Sequence, residues 1–192
     1  MGCDAASARA GPAHSDREAG DMSAVPARPA DARARGRCRA RASLLVTALA
    51  LAAVDLVVKA AAVAGLSGGQ TVDLGPVNLR LYYNPGVAFS MGATLPSWVI
   101  ITGTGLVIAG LLWYLWSSVP TLTALSRAGG TVLLGGALGN FLDRLDGTGV
   151  VDYLHTTWFP TFNLADVFVT SGVIALALGT MWRPTPDPTP KP

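Results

Sequence analysis

Between residues 135 and 166 the chain reads GGALGNFLDRLDGTGVVDYLHTTWFPTFNLAD, which sets Asp143, Asp146, Asp152 and Asp166, with Arg144 and the amides of Asn140 and Asn163, among apolar neighbours. Carboxylates in such surroundings suit general acid and base work. Two of them brought close cannot both ionise easily, and burial raises the pKa of at least one, so a pair can hold one proton near neutral pH. The ionised partner then takes a proton from water, while the protonated one gives a proton to a carbonyl oxygen or a leaving amine. Asp152, on the loop before a helix, and Asp166, near that helix's start, are placed to meet. Asn163 and Asp166 share a helix face by their spacing, as do Asn140, Asp143 and Arg144, so the amides can orient substrate or carboxylates and Arg144 can anchor a carboxylate or a lipid phosphate.

Other chemistries find less support. No cysteine stands inside the expected spans, since Cys3 and Cys38 both lie in the basic N-terminal stretch. His and Cys in zinc-ligand spacing are missing, so neither a metal nor another cofactor is expected. A phosphotransferase reading stays open through Asp143-Arg-Leu-Asp146-Gly147 followed by Asp152, which is similar to the opening of the metal-dependent phospholipid alcohol phosphotransferases. Val150-Val151 stand where that pattern wants Ala-Arg, and its two further aspartates are missing. Intramembrane Asp and Arg would also serve a proton- or ion-coupled transporter, although four spans without an internal repeat are few for one.

These residues need a membrane to hold them. Of 192 residues 51% are hydrophobic and 14% charged, against about a quarter charged in soluble domains. Spans are expected at about 44–66, 97–117, 127–145 and 163–182. The fold class is then an all-α polytopic membrane protein of four transmembrane helices, forming one membrane domain over 43–183. Residues 1–42, rich in Ala, Arg, Pro and Gly, are expected to be a disordered basic cytoplasmic tail, and 184–192 a Pro-rich one. Eight arginines, Arg9 through Arg41, precede the first span, which places both termini in the cytoplasm once Arg127, Arg183 and Lys191 are added.

Within the first span Asp55 and Lys59 stand at i and i+4, acid first, the favoured order for an ion pair on one helix face. Val77, Leu79, Leu81 and Tyr83 alternate with Asn78, Arg80, Tyr82 and Asn84, the period of a half-buried strand, and NPGVAFS follows as a turn. This predicts a small extended module on the outer face. At 1.5 Å per residue Asp143 lies about 24 Å beyond Arg127, Asp166 about 26 Å before Arg183, and Asp55 and Lys59 about 21 and 27 Å beyond Arg41. Three helices thereby carry ionisable groups to one layer in the outer half of the bilayer. Gly135 and Gly139 form a small-xxx-small pair that lets another helix approach the third span.

The blocks GGALGNFLDR, VVDYLH and FNLAD, with NPGVAFS and the Asp55–Lys59 pair, resemble the lipoprotein signal peptidase family, also called signal peptidase II, over about 44–182. The resemblance implies an aspartic endopeptidase that removes signal peptides from diacylglyceryl-modified prolipoproteins, cutting N-terminal to the lipidated cysteine. It implies Asp152 and Asp166 as the catalytic dyad, with Asp55, Lys59, Asn84, Asn140, Asp143, Arg144 and Asn163 in supporting or substrate-binding places. Prolipoprotein and membrane lipids are the implied partners, nucleic acid is not, and a monomer in the bacterial cytoplasmic membrane is expected. Leu56 stands where the family usually has Gln, and Val87 where it usually has Ala.

Overall fold

A computed structural model describes residues 29–86 and 94–182. Val87 to Ser90 of NPGVAFS, Arg183, Lys191 and both outer tails lie outside the described residues. The element order is α1 Pro29–Leu66, β1 Thr71–Asp73, β2 Asn78–Asn84, α2 Ser97–Ser118, α3 Ala124–Arg144, β3 Val150–His155 and α4 Leu164–Met181.

The first helix begins well before the expected residue 44, so residues 29–42 are helical and not a disordered tail. The expectation rested on the lack of apolar residues to bury, but a helix continuing a stable span needs no core of its own. Its nucleation cost is already met by the apolar turns below it, Ala and Arg are strong helix formers, and Pro suits a first helical position. With 38 residues, α1 is about 57 Å long and exceeds the roughly 30 Å of hydrocarbon in a bilayer.

Among the described residues, three helices are long and apolar enough to cross a membrane: 33–66 of α1, all of α2, and α4. The remaining helix, α3, carries Arg127, Asn140, Asp143, Arg144 and a run of glycines, which lowers its hydropathy. It packs against α1, α2 and α4 and so occupies the centre of the bundle. A Cβ at Gly136 would stand 2.5 Å from Ala165 O on α4, so α3 and α4 touch backbone to backbone there. Gly135 and Gly139 face α1, against Leu51 and Asp55, as their spacing anticipates. Leu44, Ala48, Leu115, Val119, Leu122 and Leu134 form the apolar core between α1, α2 and α3.

The extended module is an antiparallel sheet in the order β1-β2-β3. Its first hairpin turns at Asp73, whose Oδ1 accepts from Gly75 N at 2.8 Å, with Gly75 at a φ of 90° that favours glycine. Tyr82 pairs with Asp152 and Asn84 with Val150, after a register shift between Leu79 and Tyr82. β3 puts Asp152 on a strand, where the sequence leads one to expect a loop before the helix. Val150, Val151 and Tyr153 carry the β-branched and aromatic character of a strand, bounded by Gly147 and Gly149. Side chains alternate across a strand. Val151 and Tyr153 accordingly pack with Leu66, Val58 and Val63 of α1, which turns Asp152 to the opposite face.

Candidate active site

The chain returns from β3 to α4 through Phe162, which exchanges backbone bonds with Leu154 at 2.8 and 3.0 Å. Asn163 then caps α4. Its Oδ1 accepts from Asp166 N at 3.0 Å, and its own N–H donates to Asp166 Oδ2 at 3.1 Å, a reciprocal capping box. Asn163 thus precedes the helix and does not share a helical face with Asp166 in the way its spacing suggests. Its Nδ2 reaches back to Asp152 Oδ1 at 2.7 Å. One fully buried asparagine therefore holds both carboxylates.

Asp152 is 1% exposed and takes a second bond, at Oδ2, from Asn84 Nδ2 at 3.1 Å. Burial, and after it the nearby charge of Asp166, push its pKa up to about 6. Asp166 is half-buried and accepts from Asn140 Nδ2 at 2.8 Å. Both carboxylates line a cavity of about 470 Å³, together with Asn84, Asn140 and Arg144. Val167, Thr170, Ser171 and Ile174 line it on α4, at the i, i+3, i+4, i+7 spacing of one helix face. Phe159 and Phe162, in edge-to-face contact at 5.8 Å, line it as well.

Behind the two carboxylates sits a charged cluster. Lys59 Nζ lies 2.9 Å from Asp55 Oδ2 and 3.2 Å from Asp143 Oδ2, and it donates to Asn140 Oδ1 at 2.8 Å. Asp143 also accepts Val151 N at 2.7 Å, tying β3 to α3. Its cation is Lys59, and no ion pair joins it to the adjacent Arg144 among the described residues. Arg144 instead donates to Asn140 O and Gly86 O, each at 2.9 Å, holding the turn after Asn84 against the end of α3. Its Nε is buried without a hydrogen-bond partner among the described residues.

Asp55 has a second task that spacing along α1 does not reveal: its Oδ1 accepts Ala165 N at 2.8 Å. An acid from α1 thereby satisfies the first turn of α4, where unpaired N–H groups and the helix dipole favour negative charge. Tyr153 Oη accepts Leu164 N at 3.3 Å in the same turn. Gly139 makes room for this arrangement, since a Cβ there would stand 2.6 Å from Asp55 Oδ2. The layer inferred from helix rise thus exists as a bonded network joining α1, α3, β3 and α4. His155, at the far end of β3, contacts Thr161 Oγ1 at 3.1 Å and is not among the residues lining the cavity.

A family model described as signal peptidase (SPase) II matches residues 47–182. The lipoprotein signal peptidase of Brucella ovis is 40% identical over 149 residues, 73% of this chain and 91% of that protein. That of Bartonella henselae is 39% identical over 107 residues, 52% of this chain and 65% of that protein, slightly under two thirds of its length. A solved structure described as a bacterial membrane enzyme superposes with a TM-score of 0.63 at 25% identity, covering 75% of this chain and 95% of that one. With a helical bundle, an attached antiparallel sheet and a family match over most of its length, the chain is an integral membrane protein that belongs to the signal peptidase II family.

Proposed function

We propose that the chain is a four-span aspartic endopeptidase that removes the signal peptide from diacylglyceryl-modified prolipoproteins by cleaving N-terminal to the lipidated cysteine. The observation that carries this reading is the bridge made by Asn163, which bonds Asp152 through its amide and Asp166 through its backbone beside a cavity with an apolar wall. The apolar wall made by Phe159, Phe162, Val167 and Ile174 suits the acyl chains of the substrate, and the polar end suits its peptide. The fourth span is α3, sheltered by the other helices. Its low hydropathy fits a helix that meets protein more than lipid.

In this mechanism Asp152 starts with the proton, in keeping with its raised pKa, and Asp166 is the base. A water oxygen attacks the scissile carbonyl carbon as Asp166 takes one of the water's protons and Asp152 protonates the carbonyl oxygen. The tetrahedral diol collapses: the C–N bond breaks, the nitrogen takes the proton from Asp166, and a diol hydroxyl returns one to Asp152. The products are the signal peptide's carboxylic acid and the free amine of the lipidated cysteine, with the dyad restored. Asn84, Asn140 and Asn163 hold the carboxylates throughout. Arg144 shapes the entrance by fixing Gly86. Both termini are cytoplasmic, and the dyad faces the outer leaflet, since the arginines of α1 mark the opposite end.

The test is incubation of the purified protein with lipid-modified and unmodified prolipoprotein. Cleavage of the modified form alone supports the proposal. Failure to cleave either form by a folded protein, or equal cleavage of both, contradicts it.

A further inference from the structure

At the end of the bundle away from the aspartates, α1 and α3 part. They are in contact where Gly135 meets Leu51 and Ala48. Closer to the start of α3 they leave a cavity of about 370 Å³, lined by Ala40, Ser43, Leu44 and Thr47 on α1 and by Arg127 and Val132 on α3. The walls are mixed in a definite order. Arg127 is half-buried, and its guanidinium has no hydrogen-bond or ion-pair partner among the described residues. Leu44 and Val132 lie about one turn deeper on each helix. Ser43 and Thr47 add hydroxyls between.

Above the cavity the α1 face continues with arginine. Arg37 precedes Ala40 and Leu44 by three and seven positions, and Arg33 precedes Arg37 by four, so all lie along one side of the helix. Both arginines are exposed. Arg41 is committed elsewhere: its guanidinium stacks 4.8 Å from the Trp116 ring centroid, and its Nε donates to Trp116 O at 3.1 Å. Arg127 in the cavity wall, and Arg37 and Arg33 on the α1 face above it, are thus left without such a commitment among the described residues.

We propose that this cavity binds an anionic phospholipid of the surrounding leaflet, its phosphate held by Arg127 with Arg37 above it and an acyl chain lying along Leu44 and Val132. The proposal rests on the insertion given above, which puts the arginine-rich end of α1 at the membrane surface, but not on catalysis. From Ala40 to Thr47 the cavity wall covers about 10 Å of helix rise, which takes a lipid from its headgroup into its upper chain. A basic pocket between helices at the cytoplasmic surface is where anionic headgroups are held. A soluble phosphate would leave the apolar lower wall unfilled.

The test measures lipid retention by native mass spectrometry on the full chain. The protein is taken from nanodiscs of equal phosphatidylglycerol and phosphatidylcholine, and Tm in detergent is followed as each lipid is added. Wild type should retain phosphatidylglycerol preferentially and gain Tm with it. Arg127→Gln should bind it about fivefold more weakly, the loss of one arginine at a lipid surface. Thr47→Phe fills the cavity without changing charge and should weaken binding as well, which keeps the test decisive if Arg127→Gln inserts poorly. Equal retention of the two lipids by wild type overturns the site, as does undiminished phosphatidylglycerol binding by Thr47→Phe. An equal Tm gain from glycerol phosphate alone would make it a site for soluble anions, and a lipid-free dimer would make it a contact between copies; either overturns the proposal. Prolipoprotein cleavage is read separately on the same preparations, so an inactive wild type that still selects phosphatidylglycerol contradicts the peptidase reading and not this one.

Discussion

Lys59 Nζ lies 2.8 Å from Asn140 Oδ1, and this bond decides which end of the Asn140 amide meets Asp166. An ammonium group only donates, so the amide oxygen must face it and the NH₂ must face the carboxylate. A cation on α1 thereby orients a donor on α3 toward an acid on α4. Removing it has a second effect, because Asp55 and Asp143 both lean on the same charge. Lys59→Met should cost about 3–5 kcal/mol, the scale for stripping one partner from a buried ion pair. Denaturation in mixed micelles measures it, and a loss below about 1 kcal/mol would mean that the cluster is not held by Lys59.

Asn163 does two jobs that substitution can separate. A serine at this position can still cap α4 but has no amide to reach Asp152. Asn163→Ala should lose about 1 kcal/mol of stability with the cap, together with activity. Asn163→Ser should keep most of that stability and still be severely impaired. Stability from thermal unfolding and cleavage per folded molecule are read side by side. Full activity in Asn163→Ser would show that the bond to Asp152 is dispensable.

Titration of Asp152 should be visible in stability. Its pKa is raised from 3.8 to about 6 by burial, so the folded state binds its proton more tightly than the unfolded state does. The associated stability is present in full below the unfolded value, and it is lost as pH rises from about 4 through about 6. Asp152→Asn has nothing to titrate there. The difference in unfolding free energy between wild type and Asp152→Asn should therefore move against wild type across that interval. A difference that stays constant, or moves the other way, would contradict the raised pKa.

The meeting of the charged groups was legible from helix rise alone. Counting from Arg41, Arg127 and Arg183 puts Asp55, Lys59, Asp143 and Asp166 at one depth, and hydrogen bonds join them there. What could not be read was set by contacts distant in sequence. Asp55 meets Ala165 across 110 positions, and nothing near either residue signals it. β3 was hidden by its short length and by glycines that read equally well as loop, although Val150, Val151 and Tyr153 carried strand character. The start of α1 at Pro29 is not legible from burial, because that segment needs only a helix to extend.

In the proposed mechanism Asp152 and Asp166 perform the chemistry while Asp143 supports it. Asp143 pairs with Lys59 and accepts Val151 N, so its charge fastens α1, α3 and β3. Asn in place of either dyad acid keeps size and hydrogen bonding but removes the proton-transferring group. The most direct measurement is cleavage of lipid-modified prolipoprotein, per folded molecule, by purified Asp143→Asn, Asp152→Asn and Asp166→Asn proteins, with folding checked by thermal unfolding in detergent. No detectable cleavage is expected from the folded Asp152→Asn and Asp166→Asn proteins, and measurable cleavage is expected from an Asp143→Asn protein of lower stability. A folded, inactive Asp143→Asn protein beside an Asp152→Asn protein that still cleaves would contradict this mechanism and make Asp143 and Asp166 the reacting pair.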